Sequence, residues 1–201
     1  QYGITRGEQD EFALRSHQKA LEAMSSGWFQ REIVPLKSPQ GVFDKDQGPR
    51  ADTQISTLAS LKTVFLEGGT VTAGNSSPLS DGASMTLVAN KKSCERWNLK
   101  PRAQIIGFSV VGLDPTLMGL GPVPAVRKLL EQHKLRVGEI GVFELNEAFA
   151  SQAIACAREL EIPEEKLNIS GGAIALGHPL GATGTRLITT LVHNMEKKKA
   201  D

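Results

Sequence analysis

After Thr5 the apolar residues return every three or four positions, with Phe12, Ala13, Ala20, Leu21 and Met24 falling on one face. That spacing predicts an amphipathic helix whose apolar stripe is buried. Thr5 followed three residues later by Glu8 has the form of a capping box, and Gly27 suits the helix end. Gly, Pro, Asp and Gln then crowd the stretch between Pro35 and Pro49, which predicts an exposed loop or hairpin. A short helix is expected over 52–65. Thr70 to Asn75 leads toward a turn, and Ser80-Asp81-Gly82-Ala83 leads into the apolar stretch 85–89.

From Arg102 the pattern changes to strand followed by helix. Ile105, Ile106, Val110 and Val111 suggest a buried strand. Pro122 and Pro124 stand where a helix can begin, and Val126, Leu129 and Leu130 supply its apolar face. Ile140, Val142, Phe143 and Leu145 form a second short strand. Asn146 is a suitable cap for a helix carrying Phe149, Ala153, Ile154 and Leu160. A third strand, broken by glycines, is expected over 167–176, and a last helix uses Leu187, Ile188, Leu191, Val192 and Met195. Strands alternating with helices predict a layered α/β fold with a mainly parallel sheet.

Composition narrows the function classes. With 201 residues, 40% of them hydrophobic, the chain can bury one full core, or one core and a satellite. A net charge of +1 excludes the concentrated basic footprint that phosphate backbones require. The basic run Lys197-Lys198-Lys199 reads as a solvated helix end. No apolar stretch has the length of a membrane-spanning helix, and nothing at the start resembles a signal peptide. Cys94 and Cys156 lie far apart without a CxxC pair, which fits a reducing compartment. The chain opens at Gln1 without a methionine and stops at Asp201 beside a helix pattern, so both ends are expected to be cut.

Three segments could carry chemistry. In the first, Gly171-Gly172-Ala173-Ile174-Ala175-Leu176-Gly177-His178-Pro179-Leu180-Gly181-Ala182-Thr183-Gly184, the glycines let backbone pass close to a ligand or another segment. His178 falls in the turn before a helix, where α/β folds gather ligands, and Pro179 keeps it out of helical conformation. A histidine so held can act as a general base, or can be merely structural or solvated. His17, His133 and His193 lie in or beside helical patterns and are taken as non-catalytic. In the second, Asn146-Glu147-Ala148-Phe149-Ala150, Asn146 either caps the helix or presents its amide to the same crevice, and Glu147 complements the helix dipole. The third, Thr72-Ala73-Gly74-Asn75-Ser76-Ser77-Pro78-Leu79-Ser80-Asp81-Gly82-Ala83, suits a tight turn or a surface facing a polar ligand tail.

Together these segments resemble thiolases, the enzymes that make or break the carbon–carbon bond of 3-ketoacyl-CoA. GGAIALGHPLGATG is similar to the family's histidine motif, NEAFA to its asparagine motif and TAGNSSPLSDGA to its pantetheine-side segment. GITRGEQDEFALRSHQKA, Val111-Gly112-Leu113-Asp114-Pro115 and Met118-Gly119 fit as well, in the family's order. The resemblance implies that His178 takes the proton of a nucleophilic cysteine. It implies that Asn146 holds a water at an oxyanion hole, that Ser77 and Met118 line the pantetheine arm, and that Phe149 lies beside the acyl pocket. Arg50, in Gly48-Pro49-Arg50, corresponds to an arginine near the CoA adenine and phosphates.

The resemblance also implies a thiolase-like layered fold: 1–66 as the later part of a CoA-binding loop domain, 67–101 as the end of the N-terminal half, and 102–201 as an incomplete C-terminal domain. Neither Cys94 nor Cys156 matches the family's nucleophile, so the chain reads as the C-terminal portion without its attacking cysteine. Two sheet strands are then missing, leaving an open apolar edge that favours association. Two functions stay open: part of an acyl-CoA:CoA acyltransferase of fatty-acid metabolism, or an inactive truncated relative that binds CoA or joins complete subunits. CoA and acyl-CoA enter as substrates, with no other cofactor and no metal. The complete enzyme is expected to be a homodimer or homotetramer, in bacterial cytoplasm or an organelle matrix.

Overall fold

A computed structural model describes residues 2–200. Gln1 and Asp201, the two ends expected to be cut, lie outside the described residues. The first helix, α1 (Arg6–Ser25), begins as its sequence predicts. The Thr5 backbone N–H donates to Glu8 Oε2 at 2.6 Å, and the Glu8 N–H donates to Thr5 Oγ1 at 3.3 Å. Gly27 follows the helix at φ 70°, a left-handed turn that glycine enters without steric cost. The loop between Pro35 and Pro49 contains the hairpin β1 (Leu36–Ser38) and β2 (Gly41–Phe43), paired antiparallel.

Five further helices are short to medium: α2 (Ile55–Ser60), α3 (Lys91–Arg96), α4 (Pro122–His133), α5 (Ala150–Glu159) and α6 (Ala173–Leu176). The last, α7 (Thr183–Lys198), matches the expected final helix. The main core joins Ala13 of α1, Leu58 of α2, Ala150 and Ile154 of α5, and Ile174 of α6. Alanines on α1 make this approach possible: Ala13 and Ala20 are fully buried, and Gly171, at φ 84°, passes directly over Ala20. Burying Leu58, Ile154 and Ile174 contributes about 1.5–3 kcal/mol each. A second cluster of Val123, Cys156 and Leu160 fastens α4 to α5.

The strand segments differ from expectation. Ile105, Ile106 and Val110 are 66%, 61% and 75% exposed, where a buried strand is predicted. Burial there alternates with period two: Gly107, Ser109 and Val111 are half-buried while Ile106, Phe108 and Val110 face outward. Ser109 Oγ donates to the Ala125 carbonyl at 2.7 Å, so α4 covers one face. No layer covers the other face and no ladder includes the segment, among the described residues. The apolar stretch 85–89 is likewise exposed and outside any strand.

Of the second and third strands, one parallel bridge forms, Phe143 with Leu167. It is closed by the Phe143 N–H donating to Lys166 at 2.8 Å and the Asn168 N–H donating to Phe143 at 2.9 Å. Beyond Leu167 the expected strand is replaced by the turn at Gly171 and the single turn of α6. Ala173-Ile174-Ala175-Leu176 has strand-like apolarity, but all but the last of these side chains are buried on the helix side against α1, which decides for helix.

Candidate active site

His178 follows α6 directly. Gly177 ends that helix at φ 95°, a conformation that side chains resist, and any Cβ there would meet Ser80. The half-buried ring is held at both nitrogens: Nδ1 lies 2.7 Å from Thr183 Oγ1, and Nε2 lies 3.2 Å from Asn146 Nδ2. Thr183 Oγ1 in turn donates to the Pro179 carbonyl at 3.0 Å. With the hydroxyl proton committed there, Thr183 accepts from Nδ1–H, and the Nε2 lone pair faces the Asn146 amide hydrogen. This arrangement places no donor against another donor. In this tautomer Nε2 carries the ring's lone pair, with the Asn146 amide against it.

Asn146 does not cap a helix. Phe149 flanks α5, while Asn146 stands three residues earlier, at the end of the bridged segment, with its amide turned to His178. Its Oδ1 is buried and accepts no hydrogen bond from the described residues. An orphaned acceptor beside a basic nitrogen is suited to holding a water. The sequence pattern leaves a choice between cap and crevice, and the structure gives the crevice.

Glu147 also departs from its expected place at a helix start: it is 2% exposed and lies beneath the site. Burial pushes its carboxyl above the usual range, against hydrogen bonds from Ser16, Asn168 and the Ile174 N–H. Glu144, three residues upstream, is raised to about 8 by burial, with the Arg186 guanidinium opposing.

Ser77 and Phe149 meet through backbone. The Ser77 N–H donates to the Ala148 carbonyl at 3.0 Å, and Ser76 bridges Phe149 antiparallel. The third segment thus runs alongside the second, one turn of chain from Asn146. Phe149 is met edge-on by Phe65, with ring centroids 5.9 Å apart. Met118 is 76% exposed on the 3₁₀ turn Pro115–Leu120, which packs on α5 where Gly119 approaches Gln152.

Arg50 is exposed, and its guanidinium is in no ion pair with the other site residues. Its backbone is fixed: the Arg50 N–H donates to His17 Nδ1 at 3.2 Å, and Gly48 presses on the Ala175 carbonyl so closely that a Cβ would collide. His17 is buried, and burial first, then the Arg50 charge, lowers its pKa. The structure thus brings His178, Asn146, Ser77 and Phe149 together, and sets Met118 and Arg50 on adjoining segments.

Two participants, Thr183 and Phe65, escape the sequence reading, and a third, Glu147, has a different role there. Thr183 lies inside the histidine motif, and a hydroxyl five residues after the histidine is the signal that could have found it. Glu147 and Phe65 carry no such signal, because one depends on burial and the other on a loop fold. Neither cysteine joins the site: the Cys156 thiol donates to the Gly119 carbonyl at 3.2 Å and burial raises its pKa, while Cys94 lies on α3.

The chain is similar to known proteins over nearly its whole length. Family models for the thiolase N-terminal domain and the thiolase C-terminal domain match residues 1–92 and 99–201. A probable acetyl-CoA acyltransferase of Staphylococcus aureus (strain NCTC 8325 / PS 47) is 48% identical over 200 residues, covering 97% of this chain and 51% of the relative. The crystal structure of the Bacillus anthracis acetyl-CoA acetyltransferase superposes with a TM-score of 0.92 at 44% identity, covering 99% of this chain and 52% of that one. Human mitochondrial 3-ketoacyl-CoA thiolase, solved in complex with CoA, gives a TM-score of 0.92 at 37% identity, over 98% and 50%. The chain spans about half the length of the curated relatives it matches.

Proposed function

We propose, because this chain belongs to the thiolase family, that it carries the base and the oxyanion-side amide of an acyl-CoA:CoA acyltransferase. The reaction is thiolytic cleavage of a 3-ketoacyl-CoA or the reverse condensation. One observation carries the reading: Asn146 Nδ2 and His178 Nε2 converge at 3.2 Å from two segments 32 residues apart, with the ring held as a base at Nε2. His178 takes the proton of a cysteine thiol that lies outside these 201 residues, and the thiolate attacks the keto carbon. A water on the free Asn146 Oδ1 turns its second hydrogen toward the oxygen on which negative charge develops.

In the same proposal, Ser77 and Met118 flank the pantetheine arm, Phe149 borders the acyl group and Arg50 faces the CoA phosphates. The exposed Arg50 guanidinium on a loop tied down at His17 supports the last of these. Division into 1–66, 67–101 and 102–201 belongs to this reading, as does a homodimeric or homotetrameric complete enzyme.

A chimera tests it, with these 201 residues replacing the matching part of the S. aureus relative. The chimera should cleave acetoacetyl-CoA in the presence of CoA, and His178→Ala should reduce its rate by about 10²–10⁴-fold. A folded chimera without activity would sink the acyltransferase reading. The second reading, a CoA-binding protein without chemistry, is favoured by the position of both thiols away from His178. It would then be decided by calorimetry with CoA, whose binding Arg50→Ala should weaken.

A further inference from the structure

We infer that Glu147 is a positioning residue that sets the separation of Asn146 and His178, holding both segments on one buried carboxyl group. This rests on the functional reading above only for the identity of the two residues positioned.

The carboxyl group is met from three directions. Ser16 Oγ, on α1, donates to Oε2 at 2.7 Å. The Ile174 N–H, in the first turn of α6, donates to the same oxygen at 3.2 Å. Asn168 Nδ2 donates to Oε1 at 2.8 Å. Ser16 is itself engaged on its far side, where Oγ accepts the Gly172 N–H at 3.1 Å. Asn168 also grips the segment before Asn146, accepting the Leu145 N–H and donating to the Leu145 carbonyl, both at 2.8 Å.

The consequence follows from chain positions. Glu147 is bonded to Asn146 by one peptide unit, so fixing its side chain fixes the plane from which the Asn146 amide projects. Ile174 starts the turn that ends at Gly177, so fixing its N–H sets where His178 emerges. The fit is close, because any Cβ at Gly172 would collide with the carboxyl group. An orphaned donor among these three would be costly in so buried a place.

Glu147→Gln keeps the shape but not the donor–acceptor pattern. Turned one way, the new NH₂ faces the Asn168 amide hydrogens; turned the other, it faces the Ile174 N–H and the proton of Ser16. Either way a donor meets a donor, and the segments must part. Glu147→Gln/Asn168→Asp removes the conflict at residue 147, since the amide can then donate to residue 168 while its oxygen serves Ser16 and Ile174, but it leaves the Leu145 carbonyl without its donor, so rescue is partial.

NMR on the 201-residue chain reads the geometry without any catalysis. The contact between the Asn146 side-chain amide hydrogens and the His178 ring should be lost in Glu147→Gln and return in part in the double variant. In the chimera, kcat per titrated active site should fall about a hundredfold in Glu147→Gln with KM for CoA little changed, and recover in part in the double variant. A lowered melting temperature with the Asn146–His178 contact intact, or unchanged kcat per active site, would overturn the inference and leave Glu147 a purely structural group. An inactive wild-type chimera would strike at the acyltransferase reading, and the NMR contact would still decide the role of Glu147.

Discussion

The backbone N–H of Arg50 donates to Nδ1 of His17 across 3.2 Å, so a buried ring on α1 holds down the loop that carries an exposed arginine. The bond requires a bare nitrogen on the ring, and burial keeps it bare by lowering the pKa of His17 from 6.5.

Acid should therefore release this loop. Because the folded-state pKa is the lower one, the unfolded chain binds more protons in the window below about 6.5. The contribution of His17 is fully present above that window and is lost as pH falls through it. His17→Gln keeps an acceptor that does not titrate. Urea titrations of both proteins between pH 7.5 and 5 should show the wild type losing stability faster than the variant. Parallel curves would refute the linkage.

Thr183→Val should disable the base at a modest cost to the start of α7, whose bond to the Pro179 carbonyl is lost as well. The replacement is nearly isosteric, but it removes the oxygen that accepts from His178 Nδ1 and thereby fixes the ring. Activity of the chimera should fall about tenfold to a hundredfold, with a melting temperature lowered by only a few degrees. Undiminished activity would mean that something else orients the ring.

Gly172→Ala isolates a steric effect. The residue sits at φ −129°, which any amino acid adopts, so the backbone asks for no glycine. The demand comes from the Glu147 carboxyl group against it. The substitution should cost about 1–3 kcal/mol by urea unfolding, typical of overpacking, whereas Gly138→Ala, with open space around it, should be near neutral. Equal effects at the two sites would contradict this packing.

The outward row of Ile106, Phe108 and Val110 should drive association of the isolated chain. These side chains are 61%, 83% and 75% exposed on a segment without ladder partners. Phe108→Lys with Val110→Glu should move sedimentation toward the monomer. A wild-type monomer that melts in one cooperative transition would count against the expectation.

Helices were legible where their signals are local. Thr5, Glu8 and Gly27 bound α1 as the cap rules require, and Pro122 starts α4. The motifs around Asn146 and His178 were legible as a pair through their resemblance to a family, and solved members superpose on nearly the whole chain. Strands were not legible as burial, because a strand becomes buried only when other segments cover it. Ile106 and Phe108 have strand periodicity but meet nothing on their outer side. Glu147 was misplaced for the same reason, and Asn146 stays open between cap and crevice. A polar residue before a helix looks like a cap until the chain brings His178, or Ser16, across to meet it.

The polar face of α1 also bears on the order in which the chain can become ordered. Asp10 waits for Asn75, His17 for the loop at Arg50, and Ser16 for Glu147 and Gly172. On a ribosome, the helix emerges ahead of these partners, the last of them more than 150 residues later. Until then Ser16 and His17 lack these partners, and the cap at Thr5 can supply a helix but no lasting structure. Completion must await the segment around Gly172, and such distant closure is intrinsically slow.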